Sequence, residues 1–185
     1  MSFNETVIRT DANGNNKNII YTGLARTGKT TKVSELIKPD NTTYVIIDVK
    51  EDAIKNSINT LTSSGYTYVD MSTVEISKIK FKENCIYRLE INSVIPDVPQ
   101  INKLLKAICD TSSSITFIYD DIQYAADMSI LSSILTKDNI RFIGVTQKYS
   151  EFMEYDKYIN RIVYLPDIPP RLPKEREKQY YPFIH

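Results

Sequence analysis

Histidine is almost missing from these 185 residues; the single one is His185, the last position. Histidine-based catalysis or metal ligation therefore has almost no material to work with. Cysteine is nearly as scarce. Cys85 and Cys109 stand alone without CxxC spacing, so neither a disulfide scaffold nor a zinc site is expected, and both read as plain core residues. No apolar run approaches the ~18 residues of a membrane-spanning helix. Met1 to Asn18 is polar and lacks a signal-peptide core, so a cytoplasmic protein is the expectation. Excess charge is missing too: 23 basic side chains balance 23 acidic ones. That argues against a free-standing polyanion binder, while leaving room for a basic patch on one face or a lumen built from several subunits.

What is present is an alternation of short apolar runs and amphipathic segments. The length suits one domain, expected over residues 1–167, followed by a Pro-rich, charged tail over 168–185. After the polar loop Asp11–Asn18, Ile19–Thr22 reads as a buried strand. Thr30–Lys38 reads as a helix stopped by Pro39. Thr43–Asp48 is almost continuously apolar, as in a parallel strand covered on both faces. A helix over Glu51–Leu61 and strands over Tyr66–Val69 and Cys85–Ile91 follow, the last alternating apolar and polar. Pro99 opens a helix that places Ile101, Leu104, Leu105 and Ile108 on one face. Ile115–Tyr119, Ile140–Thr146 and Arg161–Leu165 read as strands, with a helix over Met128–Leu135. Alternating strands and helices predict an α/β fold with a mainly parallel sheet and helices on both faces.

In such sheets ligands bind beyond the carboxyl ends of the strands. The notable polar residues fall there: Gly23–Thr30, Asp48, Asp120–Asp121 and Gln147. The run Gly23-Leu24-Ala25-Arg26-Thr27-Gly28-Lys29-Thr30 fulfils G-x-x-x-x-G-K-[ST] in full. Its glycines let backbone N–H groups curl around a phosphate with no Cβ in the way. Lys29 is placed to reach the β- and γ-phosphates of ATP. Thr30 is placed to hold Mg²⁺ through its hydroxyl, and Thr31 completes the nucleotide-contacting stretch. With 5 glycines in the chain, a chance match to a pattern that needs two is rare.

Ile115–Asp121 is an apolar strand closing on two carboxylates. Asp120 is expected to join the Mg²⁺ shell, usually through a water, and Asp121 to orient or deprotonate the attacking water. Gln147 could touch both the γ-phosphate and that water; an ordinary loop amide is the alternative. Arg141 opens the strand that Gln147 follows, and six residues of strand cover ~20 Å. Arg141 therefore belongs to the far rim and is a candidate for completing a neighbouring subunit's site. Arg161 and Arg88 are competitors, and a plain surface arginine is an alternative for each. Asp48 is a candidate for supporting the site from behind, and Lys50 for contacting phosphate or DNA; a solvated turn is the other reading. Tyr149, Phe152, Tyr155 and Tyr158 have roughly helical spacing, which suits packing or a subunit contact better than base stacking.

These residues together resemble the HerA/FtsK superfamily of P-loop ATPases over about residues 17–167. The P-loop is common to all P-loop proteins. More specific are Tyr44-Val45-Ile46-Ile47-Asp48-Val49-Lys50-Glu51, similar to the family's apolar strand closing on Asp-x-Lys, and Ile143-Gly144-Val145-Thr146-Gln147, similar to its strand ending in Thr-Gln. The acidic pair departs: Asp121 stands where the family has Glu. The resemblance implies a RecA-like core of the additional-strand type, with the Gln147 strand between the P-loop strand and the Asp120 strand. It also implies a homo-oligomeric ring, commonly a hexamer, that moves double-stranded DNA with ATP and Mg²⁺. The small size resembles viral genome-packaging ATPases, whose partners would include virion or procapsid proteins and whose site of action would be the host cytoplasm or the virion. A small-molecule P-loop kinase and a non-hydrolysing nucleotide-gated assembly module are the alternatives.

Overall fold

The computed structural model describes residues 6–10, 17–49, 52–91, 95–122 and 128–165. Lys50, most of the loop before the first predicted strand and the expected tail over 168–185 lie outside them, as does the side chain of Phe152. Strands β1 (Thr6–Thr10), β2 (Asn18–Thr22), β3 (Thr43–Asp48), β4 (Thr67–Asp70), β5 (Cys85–Glu90), β6 (Ile115–Tyr119), β7 (Ile140–Thr146) and β8 (Arg161–Tyr164) form one sheet. Its order is β1-β8-β2-β7-β6-β3-β5-β4. Seven strands run parallel; only β1, at one edge, pairs antiparallel, with β8. β7 lies between β2 and β6, the arrangement expected from the resemblance.

Side chains alternate across each strand, and the sheet is buried on both faces as its continuous apolar runs require. On one face α1 (Lys29–Ser34) and α2 (Asp52–Ser63) place Val33, Ile54, Ile58 and Leu61 over Ile19, Tyr44, Ile46, Ile118 and Ile143. On the other, α3 (Val98–Asp110) and α4 (Met128–Leu135) place Leu104, Ile108, Leu131 and Ile134 over Ile20, Val45, Phe117 and Phe142. Asp97 caps α3 by accepting the Gln100 N–H at 3.0 Å. Ile101, Leu104, Leu105 and Ile108 are all buried, as their spacing predicts.

Three expectations need correction. The first helix ends at Ser34, not Lys38. Beyond it the chain tightens through Leu36 N–H to Val33 and Ile37 N–H to Ser34. The buried Tyr44 hydroxyl then takes both the N–H and the C=O of Lys38, at 3.0 and 2.9 Å, and so draws that residue out of the helix. Lys38 also precedes Pro39, which disfavours the helical region. Second, β1 lies in a segment that reads as polar. Third, β5 is not half-exposed: Arg88, its one charged interior residue, is as buried as its neighbours. Tyr149–Tyr158 winds as a 3-10 helix, in keeping with the helical spacing of its aromatics. Tyr155 is buried, Tyr149 and Tyr158 pack against the core, and Tyr149 donates its hydroxyl to Asp156. Cys85 is buried, Cys109 is partly buried, and both are free thiols, as expected.

Candidate functional site

The turn after β2 is held by conformations that ordinary residues avoid. Gly23 has φ 142°, and a Cβ on it would meet the Leu165 carbonyl oxygen at 2.3 Å. Gly28, at φ 85°, turns the chain into α1. Arg26 sits at φ 66°, a left-handed position that a long side chain adopts at a cost in strain. Ala25, Arg26 and Thr31 are exposed. Thr27 is buried and donates its hydroxyl to the Leu24 carbonyl at 3.0 Å, which closes the loop on itself. The Lys29 ammonium donates to the Gly23 carbonyl at 2.8 Å and the Leu24 carbonyl at 2.5 Å. Burial pushes its pKa below the ordinary lysine value, and the charges of Asp120 and Asp121 pull it back. Both carboxylates therefore act electrostatically on this ammonium.

Thr30 donates its hydroxyl to Asp120 Oδ2 at 2.9 Å, and the other carboxylate oxygen accepts the Asp121 N–H at 3.1 Å. Asp120 is buried where β6 ends, and its own N–H is held by the Ile47 carbonyl of β3. Asp121 has φ 58° and is partly buried. Gln147 is exposed. It follows Thr146, which is in register with Thr22, so Gln147 leaves β7 on the same rim on which Gly23 leaves β2. Thr146 is buried, and its hydroxyl accepts the Lys148 N–H at 3.1 Å, turning the chain just past Gln147.

The pair Thr30 Oγ1 and Asp120 Oδ2 fits a magnesium ion. Both are hard oxygen donors, one a hydroxyl and one a carboxylate, of the kind Mg²⁺ takes. Among the described residues no cluster of three or more His, Cys, Asp or Glu side chains could hold a metal. The donor set suits an ion that draws the rest of its shell from phosphate and water, as Mg²⁺ does.

Asp48 ends β3 next to Asp120 but faces another partner. Its two carboxylate oxygens accept from Arg88 Nε and Nη2, both at 2.7 Å, in a fork-to-fork pair. Glu90 adds a contact at 3.4 Å to Arg88 Nη1. The hydrogen bonds to Asp48 raise the Arg88 pKa above its usual value against the opposing effect of burial. Arg88 is therefore committed within its own subunit, which corrects its candidacy as an arginine offered to a neighbour. The pair had a readable signal: one cation inside β5 and one anion closing β3, each in an otherwise apolar run. Arg141 opens β7 opposite Thr116, and Arg161 opens β8. Both lie on the rim away from the P-loop turn.

A parallel sheet with a Gly-Lys-Thr turn after one strand, a buried aspartate ending another and a third strand between them has the fold of a P-loop NTPase. Among solved structures, it is similar to the genome packaging NTPase B204 from Sulfolobus turreted icosahedral virus 2 in complex with AMP. The TM-score is 0.56 at 16% sequence identity, covering 91% of this chain and 82% of that one. No protein-family model and no curated protein matches the sequence. At that identity the likeness is one of fold.

Proposed function

We propose that this chain is an ATP hydrolase of the HerA/FtsK type that drives double-stranded DNA, in the manner of a viral genome-packaging motor. The observation that carries this reading is the Thr30–Asp120 hydrogen bond, with the Lys29 ammonium held on the Gly23 and Leu24 carbonyls of the same turn. In this reading the N–H groups of Gly23–Thr31 cradle the phosphates, and Lys29 leaves its two loop carbonyls for the β- and γ-phosphates. Thr30 and Asp120 would hold Mg²⁺, which would supply charge neutralisation at the phosphates. Asp121 accepts the proton of the attacking water, and Gln147, on the same rim as Gly23, orients that water. Arg88 fixes Asp48, which braces the strand end next to Asp120. Arg141, on the opposite rim, is proposed to serve a neighbouring subunit of a homo-oligomeric ring, such as a hexamer. Virion or procapsid proteins are proposed as further partners, in the host cytoplasm or the virion. No helix among the described residues is long and apolar enough to cross a membrane.

Steady-state ATP hydrolysis by the full chain, with and without linear double-stranded DNA at low salt, tests the reading. Turnover stimulated by DNA and abolished in Lys29→Ala is the expected result. Turnover indifferent to DNA removes the translocase and leaves an ATPase. A second reading, a nucleotide-gated assembly module without turnover, is favoured by one feature: Asp121 is short and left-handed where a glutamate would reach further. Tight Mg-ATP binding with no hydrolysis in the presence of DNA would establish it instead.

A further inference from the structure

The rim opposite the P-loop turn holds a second concentration of cations on the face that also carries α1 and α2. Ile140 and Phe142 point into the core beneath α3 and α4, so Arg141 between them projects to the other face. Arg141 is level with Thr116 on β6, and Phe142 N–H bonds the Lys17 carbonyl, which sets Lys17, just before β2, beside Arg141. By the same alternation Arg161 shares this face, since Val163 packs under α1 and α2. Sheet geometry separates the Arg141 and Arg161 Cα atoms by roughly 12 Å.

An open cleft of about 450 Å³ lies here, lined by Lys17, Thr42, Ser114, Thr116, Asn139 and Arg141. Arg141 is half-buried, yet among the described residues it makes no hydrogen bond or ion pair. Arg161 is also half-buried, and its Nε is fully enclosed without a hydrogen-bond partner. The one carboxylate lining the cleft is Asp138; it lies 3.3 Å from Lys17 Nζ with its own side chain fully exposed, so it screens weakly. Arg88 shows the contrast: a buried guanidinium in this fold is met by a carboxylate on two nitrogens. Removing a guanidinium from water without such a partner is unfavourable, and a planar fork of donors matches an oxyanion.

The geometry points to a second phosphate-binding site here, with Arg141 as its centre, Thr116 and Ser114 as hydroxyl donors and Lys17 and Arg161 at its sides. Its ligand is a single phosphate group or the end of a polyphosphate. The cleft is recessed, with Thr116 buried at its floor, and so takes a protruding anion. That phosphate could come from solution or from a nucleotide held by a second copy of the chain; only the second source rests on the ATPase reading.

Calorimetric titration of inorganic phosphate into the full chain carrying Lys29→Ala, with and without Arg141→Gln, tests the site. Phosphate affinity is expected to fall at least about tenfold on adding Arg141→Gln. Equal affinity in the two proteins overturns the proposal. Should Arg141→Gln not fold, the Arg141 Nε–Hε resonance of the Lys29→Ala chain decides: it shifts on adding phosphate, and a resonance that does not move overturns the site. Hydrolysis plays no part in either measurement, so failure of the ATPase reading is separately visible. Mixing Arg141→Gln with Lys29→Ala chains distinguishes the sources. If the phosphate sits on a neighbour, random assembly restores about a quarter of wild-type ATPase activity, since each interface needs one intact half from each chain. Phosphate binding without such recovery assigns the site to a solution anion.

Discussion

Thr30 and Asp120 are joined by a 2.9 Å hydrogen bond although 90 residues separate them in the chain. The contact exists because β2 and β6 flank β7, so the turn after one and the terminus of the other open onto one rim. Under the proposed function this pair is the magnesium site. Thr30→Val and Asp120→Asn are each expected to lower kcat by about 100-fold or more, with a raised magnesium requirement. Hydrolysis rates measured across a magnesium series check this.

Asp121 is expected to limit the rate because it reaches one methylene less far than glutamate. Asp121→Glu should raise kcat, and Asp121→Asn should lower it by about 100-fold while leaving nucleotide binding intact. Single-turnover hydrolysis and equilibrium binding separate the two effects.

Lys29 titrates below its ordinary value because burial outweighs the attraction of Asp120 and Asp121. Removing one of those charges lowers it further, so Asp120→Asn should move the Lys29 pKa down. A lysine depressed in the folded state takes up its proton more readily when unfolded. It therefore costs stability at pH values below its folded pKa, and that cost is relieved as pH rises towards the unfolded value of 10.5. The relief should be larger in Asp120→Asn. Lysine side-chain NMR gives the pKa, and denaturant midpoints across alkaline pH give the stability.

The Asp48–Arg88 pair is buried and forked. Removing one partner leaves the other charge enclosed, so Arg88→Ala should cost about 3–5 kcal/mol. Replacing both with apolar residues of similar size, as in Asp48→Leu with Arg88→Met, should recover most of that loss. Urea unfolding of the single and double variants is the measurement.

Gly144 lies midway along β7, where an added Cβ would meet the Ile122 and Ile20 side chains at 2.7 Å. Gly144→Ala should cost about 1–3 kcal/mol by overpacking the core between β7 and α4. Thermal unfolding shows it, and because Ile20 lies on β2, the strand that leads into the glycine-rich turn, a loss of nucleotide affinity should follow.

Local pattern was enough for most of the strands. Thr43–Asp48, Ile115–Tyr119 and Ile140–Thr146 are apolar runs bounded by turn formers, and the structure returns them at the expected positions. The glycine-rich turn and its lysine and threonine were legible for the same reason: a phosphate-cradling turn needs those residue types in adjacent positions. What lay beyond the sequence was whatever depends on neighbours across the sheet. β1, Thr6-Val7-Ile8-Arg9-Thr10, carries β-branched residues suited to a strand, but they lie within a segment that is polar as a whole, and β8 offers the edge on which they pair. The first helix stops early because a tyrosine six residues further on captures Lys38. Arg88 looked like an exposed position in an alternating strand, and only its register with Ile46, one strand over and two residues from Asp48, decided that it would be buried and paired. Periodicity is a property of a few consecutive residues, whereas strand order and register are settled by packing between segments tens of residues apart. That packing separated Arg141 from the P-loop rim and brought Thr30 to Asp120.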